Sequence, residues 1–211
     1  MHIYIHRVNT IEKLSSIPTK YGVEIDIRGF GNQLLLSHDP LTDVGTYDAL
    51  EDYLASYQQL GITGGIIFNT KEAGYESEIL RLAAKYNITN YFLLDVEFPY
   101  LYCATRKEGI RQIAVRYSEA EPIEAVEAQT RDGQPLLDWV WIDTNTRLPL
   151  NTDTVARLTP FKTCLVCPER WGRPDDIPHY ATQMKTLNFT PTAVMTALSH
   201  AETWESLYTS D

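Results

Sequence analysis

The segment Val23-Glu24-Ile25-Asp26-Ile27-Arg28 alternates apolar and charged side chains without interruption. Because side chains of a β-strand point to opposite faces in turn, this segment predicts a strand with one apolar and one charged face. The apolar face can pack under helices. The charged face would place two carboxylates and a guanidinium inside the protein, where unpaired charge is costly. We therefore expect a cation, a phosphate or a mutual ion pair to compensate Glu24, Asp26 and Arg28.

Seven further segments show the β-branched and aromatic enrichment that is typical of strands. They are Ile3–His6, Gly65–Lys71, Tyr91–Val96, Gln112–Ser118, Asp138–Asp143, Thr163–Cys167 and Ala193–Leu198. Helical periodicity occurs between them, in Thr46–Leu60, Glu76–Tyr86, Thr152–Phe161, Ile177–Leu187 and Ala201–Leu207. This alternation predicts a parallel sheet with right-handed crossovers. Eight strands favour the α/β class and a compact single-domain TIM (β/α)8 barrel over residues 1–211, with an open sheet of six or seven strands as the alternative.

Composition limits the class of protein. The 211 residues carry a formal net charge of −10, with 44% apolar and 22% charged residues, as is typical of a globular domain. So acidic a chain is not expected to bind nucleic acid. No apolar run reaches the roughly 18 residues of a membrane span, and the start is too short and too polar for a signal peptide. Three cysteines are too few for a disulfide framework, so we expect a cytoplasmic protein. The oligomeric state stays open.

Polar residues stand at the carboxyl ends of several predicted strands, which is where barrel enzymes place their chemistry. They are His6, Asp26, Lys71, Asp95 and Asp143. One such strand end would mean little. Five together indicate a functional site at that end of the predicted barrel.

The pair Glu24 and Asp26 is the strongest local signal. Residues i and i+2 of a strand lie about 6.5–7 Å apart at the backbone, so both carboxylates can reach one ion. Hard oxygen ligands favour magnesium, calcium or manganese. The alternative is a structural salt-bridge network with Arg28, Lys71 or Arg7.

Two histidines flank these carboxylates in the sequence. His6 ends the first predicted strand, and His38 precedes Asp39-Pro40, where a turn or loop is expected. Gln33–Ser37 is then a short return after the second strand. Histidine is the usual general acid or base near neutral pH. Lys71 would present a fixed positive charge to a phosphoryl oxygen, or else pair with one of the two carboxylates.

Taken in order, these motifs resemble the signature of glycerophosphodiester phosphodiesterases, which belong to the phospholipase-C-like phosphodiesterase superfamily. The motifs are His6-Arg7, Glu24-Ile25-Asp26, His38-Asp39-Pro40 and Asn69-Thr70-Lys71. The match covers about the first third of the chain. It implies a barrel with a divalent cation at its mouth, either Mg²⁺, Ca²⁺ or Mn²⁺, and a small phosphodiester as substrate.

The resemblance implies that Glu24 and Asp26 are metal ligands. The third family position, usually the Glu of Glu-x-Lys, is Asn69 here, whose amide oxygen can still ligate although one negative charge is lost. Val8 replaces the usual glycine after His-Arg, and only 30 residues separate His38 from Asn69. That spacing leaves little room for the insertion that caps the site in many members. A degenerate barrel that binds a phosphorylated ligand without turnover is the alternative interpretation.

The same resemblance makes His6 and His38 the acid/base pair. One histidine would deprotonate the attacking hydroxyl, from water or a neighbouring substrate alcohol, and the other would protonate the leaving alkoxide. Lys71 and Arg7 would bind the phosphate. The implied activity is metal-dependent hydrolysis of a glycerophosphodiester-like or related small phosphodiester, and the sequence does not say which histidine is the acid.

Further residues are candidates for a substrate pocket: Arg28, Asp95, Arg116, Trp141, Asp143 and Glu169. Large side chains such as Trp141 can equally fill a barrel interior. Cys164 and Cys167 have CxxC spacing, but residues i and i+3 of a strand face opposite ways, so we expect core positions. An isomerase or aldolase with Lys71 as amine nucleophile is disfavoured, because the neighbouring carboxylates would keep that lysine protonated.

Overall fold

The computed structural model describes residues 1–42 and 45–208. The chain forms two compact units. The N-terminal unit is Tyr4–Leu101, and the C-terminal unit combines Met1–Ile3 with Tyr102–Asp211. The division falls within the first strand, and the single domain expected over residues 1–211 stays a prediction.

Parallel strands alternate with helices in the N-terminal unit. Its strands are β1 (His2–Ile5), β2 (Gly22–Phe30), β3 (Gln33–Leu36), β4 (Ile66–Thr70) and β5 (Tyr91–Leu94). Its helices are α1 (Ile11–Ser15), α2 (Leu50–Gln59) and α3 (Glu76–Lys85), and α4 (Phe98–Cys103) begins at its end. β2 pairs in parallel with β1 and with β4, β4 pairs in parallel with β5, and β3 is antiparallel to β2. The residues that follow β1, β2 and β4 therefore emerge at one edge of the sheet.

Both faces of β2 are buried. Val23, Ile25 and Ile27 are at most 2% exposed on one face, while Glu24 and Asp26 are at most 1% exposed on the other. Each buried aliphatic side chain stabilises the fold by about 1.5–3 kcal/mol. The buried carboxylates have the opposite effect unless hydrogen bonds and counter-charges compensate them. The alternation in the sequence thus produces a strand that is apolar on one side and carries a buried acid pair on the other.

The expected short return after β2 is a strand. Gly31 takes φ +58°, which two-residue hairpin loops require and which glycine adopts without steric cost. Leu34 and Leu36 of β3 are buried, and they alternate with the less buried Gln33 and Leu35. This hairpin brings the chain back beside the carboxyl-terminal part of β2 just before His38.

The C-terminal unit repeats the alternation. Its parallel strands are β6 (Ala114–Tyr117), β9 (Trp139–Ile142), β10 (Lys162–Val166) and β11 (Ala193–Thr196), paired in that order. A small antiparallel hairpin consists of β7 (Thr130–Arg131) and β8 (Gln134–Pro135). The helices are α5 (Ile123–Glu127), α6 (Thr152–Leu158), α7 (Ile177–Thr186) and α8 (Leu198–Tyr208). A π-helical turn covers Ala104–Glu108, and two 3₁₀ turns cover Pro168–Trp171 and Pro174–Asp176.

All eight predicted strands occur within the described residues, and their parallel alternation with helices is confirmed. The helix predicted over Thr46–Leu60 begins only at Leu50, because Ala49 is still extended with ψ 139°. Asn9-Thr10 resembles the Asn-Thr that begins the first helix of the family, and Thr10 is the N-cap of α1. The short helices α4 and α5 and the hairpin β7–β8 were not predicted, since elements of two to six residues carry too little periodicity. No described helix is long and apolar enough to cross a membrane.

Candidate active site

β2 and β4 bring two carboxylates and an amide together in the N-terminal unit. Asp26 is the register partner of Asn69, and Asn69 Nδ2 donates to Glu24 Oε1 at 2.9 Å. An ionised carboxylate only accepts, so the amide must present its nitrogen to Glu24. Asn69 Oδ1 is buried and makes no hydrogen bond to a described residue. The three predicted metal ligands are therefore neighbours.

The turn after β1 reaches the same glutamate. The backbone N–H of Arg7 donates to Glu24 Oε2 at 2.8 Å, and His6 Nε2 lies 3.9 Å from that oxygen. Arg7 has φ +54°, a left-handed conformation that costs a non-glycine residue about 1–2 kcal/mol. The N–H of Val8 also donates to the Glu24 backbone oxygen at 2.9 Å. These contacts hold the strained turn against β2.

Lys13 is a further part of this turn that sequence reasoning missed. Its Nζ donates to the backbone oxygens of Arg7 at 2.6 Å and of His6 at 3.2 Å. Burial lowers the pKa of Lys13, while the Glu24 charge acts in the opposite direction. Lys13 reaches the end of β1 only because α1 forms. No feature of the sequence by itself indicates this contact.

Asp26 is held from two sides. Asn9 Nδ2 donates to Asp26 Oδ2 at 2.8 Å, and Asn9 Oδ1 accepts from the Asp26 N–H at 2.8 Å. Lys71 Nζ lies 2.9 Å from Asp26 Oδ1. Of the two roles considered for Lys71, the structure shows the ion pair, and the phosphate contact stays a prediction.

The negative charges of Glu24 and Asp26 are unfavourable in this buried site. Burial, and next the charge of Asp26, raise the pKa of Glu24 from 4.5 to about 7. The hydrogen bonds from Asn69 and from the Arg7 backbone, together with the Lys71 charge, act in the opposite direction without cancelling this rise. A further positive charge at this point would therefore stabilise the ionised site.

His38 has a defined tautomer. Arg7 Nη2 lies 2.6 Å from His38 Nε2, and a guanidinium can only donate. Nε2 must therefore accept, and the ring proton lies on Nδ1, which is 2.9 Å from Asp39 Oδ1. This hydrogen bond from His38 lowers the pKa of Asp39. In this arrangement the Nε2 lone pair of His38 faces the guanidinium of Arg7.

Arg28 supports the segment that carries His38. Its Nη2 donates to the His38 backbone oxygen at 2.9 Å, and its Nη1 donates to Glu72 Oε1 at 3.0 Å. Glu72 Oε2 also accepts from the Gly29 N–H at 3.0 Å. The structure pairs Arg28 with Glu72 instead of with Glu24 or Asp26. Sequence reasoning missed Glu72, whose one signal is its place directly after Lys71.

The residues present fit a divalent cation. Glu24, Asp26 and Asn69 offer oxygen donors only, which hard cations prefer. The unpartnered Asn69 Oδ1 and the raised pKa of Glu24 both favour an added positive charge at this point. Among the residues described, no group of three or more His, Cys, Asp or Glu side chains is arranged as a metal site.

The remaining pocket candidates have other surroundings. Asp95 follows β5 with φ +61° and is half-buried. In the C-terminal unit, Arg116 is ion-paired with Asp143, which also accepts from Trp141 Nε1 at 3.2 Å. Glu169 accepts from the Thr196 hydroxyl and, at 3.2 Å, from the Ala197 N–H, which ties the ends of β10 and β11 together. Contact of these candidates with a substrate stays a prediction.

Solved glycerophosphodiester phosphodiesterases have the same fold. The Thermotoga maritima enzyme gives a TM-score of 0.66 at 15% sequence identity, over 97% of each chain. A Galdieria sulphuraria protein provisionally assigned to this enzyme class gives 0.71 at 15%, over 98% of this chain and 97% of its own. An Oleispira antarctica phosphodiesterase in complex with the product sn-glycerol-3-phosphate gives 0.61 at 14%, over 98% and 96%. No protein-family model matches the sequence, and no curated protein matches it significantly.

These identities establish the fold alone. The chain therefore has the α/β, TIM (β/α)8 fold that the sequence predicted, and its resemblance to glycerophosphodiester phosphodiesterases is confirmed at the level of the fold. The likeness to these structures favours the barrel over the alternative of an open sheet.

Proposed function

We propose that the chain hydrolyses a glycerophosphodiester-like small phosphodiester with His6 and His38 as the acid/base pair. The observation that carries this proposal is the linkage of both histidines to one buried carboxylate network. His6 lies 3.9 Å from Glu24, and the side chain of Arg7, whose N–H binds Glu24, contacts His38. The fold shared with phosphodiesterases, one of them solved with a glycerol phosphate product, supports this choice of substrate class.

His38 acts as the general base. Its Nε2 is unprotonated because it accepts from Arg7, and Asp39 stabilises the proton on Nδ1. A histidine held in this tautomer can take a proton from an attacking hydroxyl as the new P–O bond forms. The nucleophile is water or a neighbouring hydroxyl of the substrate, so the product is an open or a cyclic phosphate accordingly.

His6 acts as the general acid. In this proposal His6, whose Nε2 lies 3.9 Å from Glu24 Oε2, gives a proton to the leaving alkoxide as the old P–O bond breaks. The proton taken up at His38 and the proton released at His6 balance over one turnover. Opposite protonation states of two histidines predict a bell-shaped dependence of the rate on pH.

Arg7 and Lys71 bind the phosphate in this proposal. Both already lie at the acid network, and Arg7 Nε is buried without a hydrogen-bond partner among the described residues. A phosphate oxygen would give that donor a partner, and charge-assisted hydrogen bonds to phosphate are the strongest that these side chains make.

Glu24, Asp26 and Asn69 would hold a divalent cation, Mg²⁺, Ca²⁺ or Mn²⁺. When bound, it would act as a Lewis acid on the non-bridging phosphate oxygens. The residues themselves fix the place of that charge, since Asn9 and Lys71 orient Asp26 while Asn69 orients Glu24. A cytoplasmic location, expected from the cysteine count, and metabolism of lipid-derived diesters are the setting that this activity suggests.

The test is hydrolysis of glycerophosphoethanolamine with Mg²⁺, Ca²⁺ or Mn²⁺ by the unmodified chain, His6→Ala and His38→Ala. His200→Ala is the matched control, because His200 lies in α8. We expect turnover that needs a cation and falls at least about 100-fold in the first two variants only. Turnover that is insensitive to both variants would refute the proposal. No turnover with retained phosphate binding would indicate the degenerate barrel instead.

A further inference from the structure

A cavity of about 720 Å³ lies within the C-terminal unit. Three segments form its walls: residues 117–119 after β6, residues 146–151 after β9, and the stretch from Arg173 to Gln183 at the start of α7. The volume is in the range of about 300–1,000 Å³ that is usual for small-molecule sites. None of the residues assigned to catalysis above lines it.

Hydrogen bonds of Arg173 fix the wall of the cavity at the start of α7. Arg173 Nη1 donates to Asp176 Oδ2 and to the Tyr180 hydroxyl, each at 2.7 Å. Its Nη2 donates to the backbone oxygen of Thr144 beyond β9. The charge of Arg173 is thus neutralised, and the start of α7 is tied to the loop that faces it.

Glu119 leaves hydrogen-bonding capacity unused in this cavity. Its Oε1 accepts from the Thr146 hydroxyl at 2.8 Å, while its Oε2 is buried and has no partner among the described residues. Burial acts to raise the pKa of Glu119, but hydrogen bonds from Thr146 and the charge of Arg147 lower it overall. The carboxylate is therefore ionised. Oε1 also accepts from the Thr146 N–H at 2.5 Å, so Oε2 is the oxygen left for a donor from the cavity that Glu119 lines.

Arg147 supplies the opposite charge. It lines the same cavity, it is exposed, and its guanidinium makes no hydrogen bond or ion pair with any residue that the structure describes. It directly follows Thr146, which donates to Glu119, so the anion on one wall and the cation on the next lie close together along the cavity. Ile123, Leu148 and Leu150 add an apolar surface beside them.

We propose that this cavity binds an α-amino acid with an apolar side chain. The ammonium group donates to Glu119, the carboxylate pairs with Arg147, and the side chain lies against Leu148 and Leu150. A zwitterion can contact Glu119 and Arg147 at once, which a singly charged ligand cannot do. This site is independent of the phosphodiesterase proposal, since none of the residues proposed there for catalysis, phosphate or cation binding lines the cavity.

The test is calorimetric titration of the full chain with L-leucine, isocaproate and isoamylamine. The last two are leucine without its amino group and leucine without its carboxylate. We expect L-leucine to bind with a dissociation constant below about 1 mM and each single-charge analogue to bind at least about tenfold more weakly. No heat of binding with L-leucine, or equal binding of the three compounds, would overturn the proposal.

Two variants locate the site. Glu119→Gln keeps an acceptor for Thr146 but removes the charge, and Arg147→Gln removes the cation. Each should weaken L-leucine binding by about tenfold or more. Arg131→Gln and Glu202→Gln, at exposed positions of the same unit outside the cavity, should leave it unchanged. L-leucine that binds Glu119→Gln and Arg147→Gln as well as the unmodified chain would place the ligand elsewhere. If a variant does not fold, the three-compound comparison on the unmodified chain still decides.

Discussion

Arg7 Nη2 donates to His38 Nε2 at 2.6 Å. The nitrogen proposed as general base is therefore covered by the side chain proposed to bind phosphate. A phosphate that draws the guanidinium of Arg7 away would free Nε2 for the attacking hydroxyl. In this account, phosphate binding and exposure of the base are one event.

The backbone of Arg7 can be separated from its side chain by comparing Arg7→Gly with Arg7→Ala. Both variants should lose activity, because both lack the guanidinium. Since Arg7 has φ +54°, we expect the glycine variant to be the more stable by about 1 kcal/mol. Denaturant unfolding measures this difference. The control is Ala55→Gly in the exposed part of α2, which should lower stability by about 1 kcal/mol. An Arg7→Gly variant that is less stable than Arg7→Ala would show that the backbone of Arg7 is not strained.

Asn69→Glu tests whether the cation site is weakened by the neutral amide at position 69, where the family usually has a glutamate. A third carboxylate beside Glu24 and Asp26 should increase repulsion without a cation and so lower the melting temperature of the metal-free chain. It should also tighten Mn²⁺ binding by about tenfold or more, measured by calorimetry. Asn69→Gln, which stays neutral, should do neither. Unchanged Mn²⁺ affinity in Asn69→Glu would show that this position is not a ligand.

The pKa of Glu24 predicts the pH dependence of stability without divalent cations. Because the folded-state pKa of about 7 lies above the usual 4.5, the native chain holds a proton that the unfolded chain has released. The stabilisation is full below about pH 4.5 and is lost as the pH rises through about 7, by a few kcal/mol at most.

Urea unfolding in the presence of a chelator measures this loss. Glu24→Gln should flatten the decline between about pH 5 and pH 8. Glu78→Gln is the control, because Arg81 lowers the pKa of Glu78 and its effect lies at lower pH. An equal decline in the unmodified chain and in Glu24→Gln would remove Glu24 as the cause.

Glu72 acts through Arg28, which it holds at 3.0 Å while Arg28 binds the His38 backbone at 2.9 Å. Glu72→Gln should lower kcat by about tenfold with little change in KM, because the base is displaced while the phosphate contacts remain. The cost in stability should stay below about 1 kcal/mol, since Glu72 is partly exposed. Glu51→Gln, which removes an exposed pair with Lys85, is the matched control. Equal kinetics for Glu72→Gln and the unmodified chain would leave Arg28 without a positioning role.

Sequence reasoning reached the fold through periodicity. The strict alternation of β2 predicted a strand with a buried acid pair, and both acids are at most 1% exposed. The eight strands followed because parallel strands read as short apolar runs. Helix α5 was missed because five residues are too few to show a period. The return of the chain after β2 was expected, but its pairing with β2 as the antiparallel strand β3 was not.

The sequence predicted only those residues of the site that lie on the strands or at their carboxyl ends. His6, Glu24, Asp26 and Asn69 were found because they end or line strands that share one edge. The contacts of Lys13 and Glu72 could not be foreseen, since they depend on how a loop or helix returns to that edge. The contact between Arg7 and His38 likewise joins residues 31 positions apart, for which one sequence offers no signal.

The roles of the two histidines can be separated by the leaving group. A p-nitrophenolate leaves without a proton, whereas an alkoxide needs one. His6→Ala should therefore retain most of its rate on bis(p-nitrophenyl) phosphate and lose at least about 100-fold on glycerophosphoethanolamine, while His38→Ala should lose its rate on both. The rates of both variants on both substrates, measured with the same cation, test the proposed acid and base roles most directly. A His6→Ala variant equally impaired on both substrates, or a His38→Ala variant that keeps its rate on either, would contradict it.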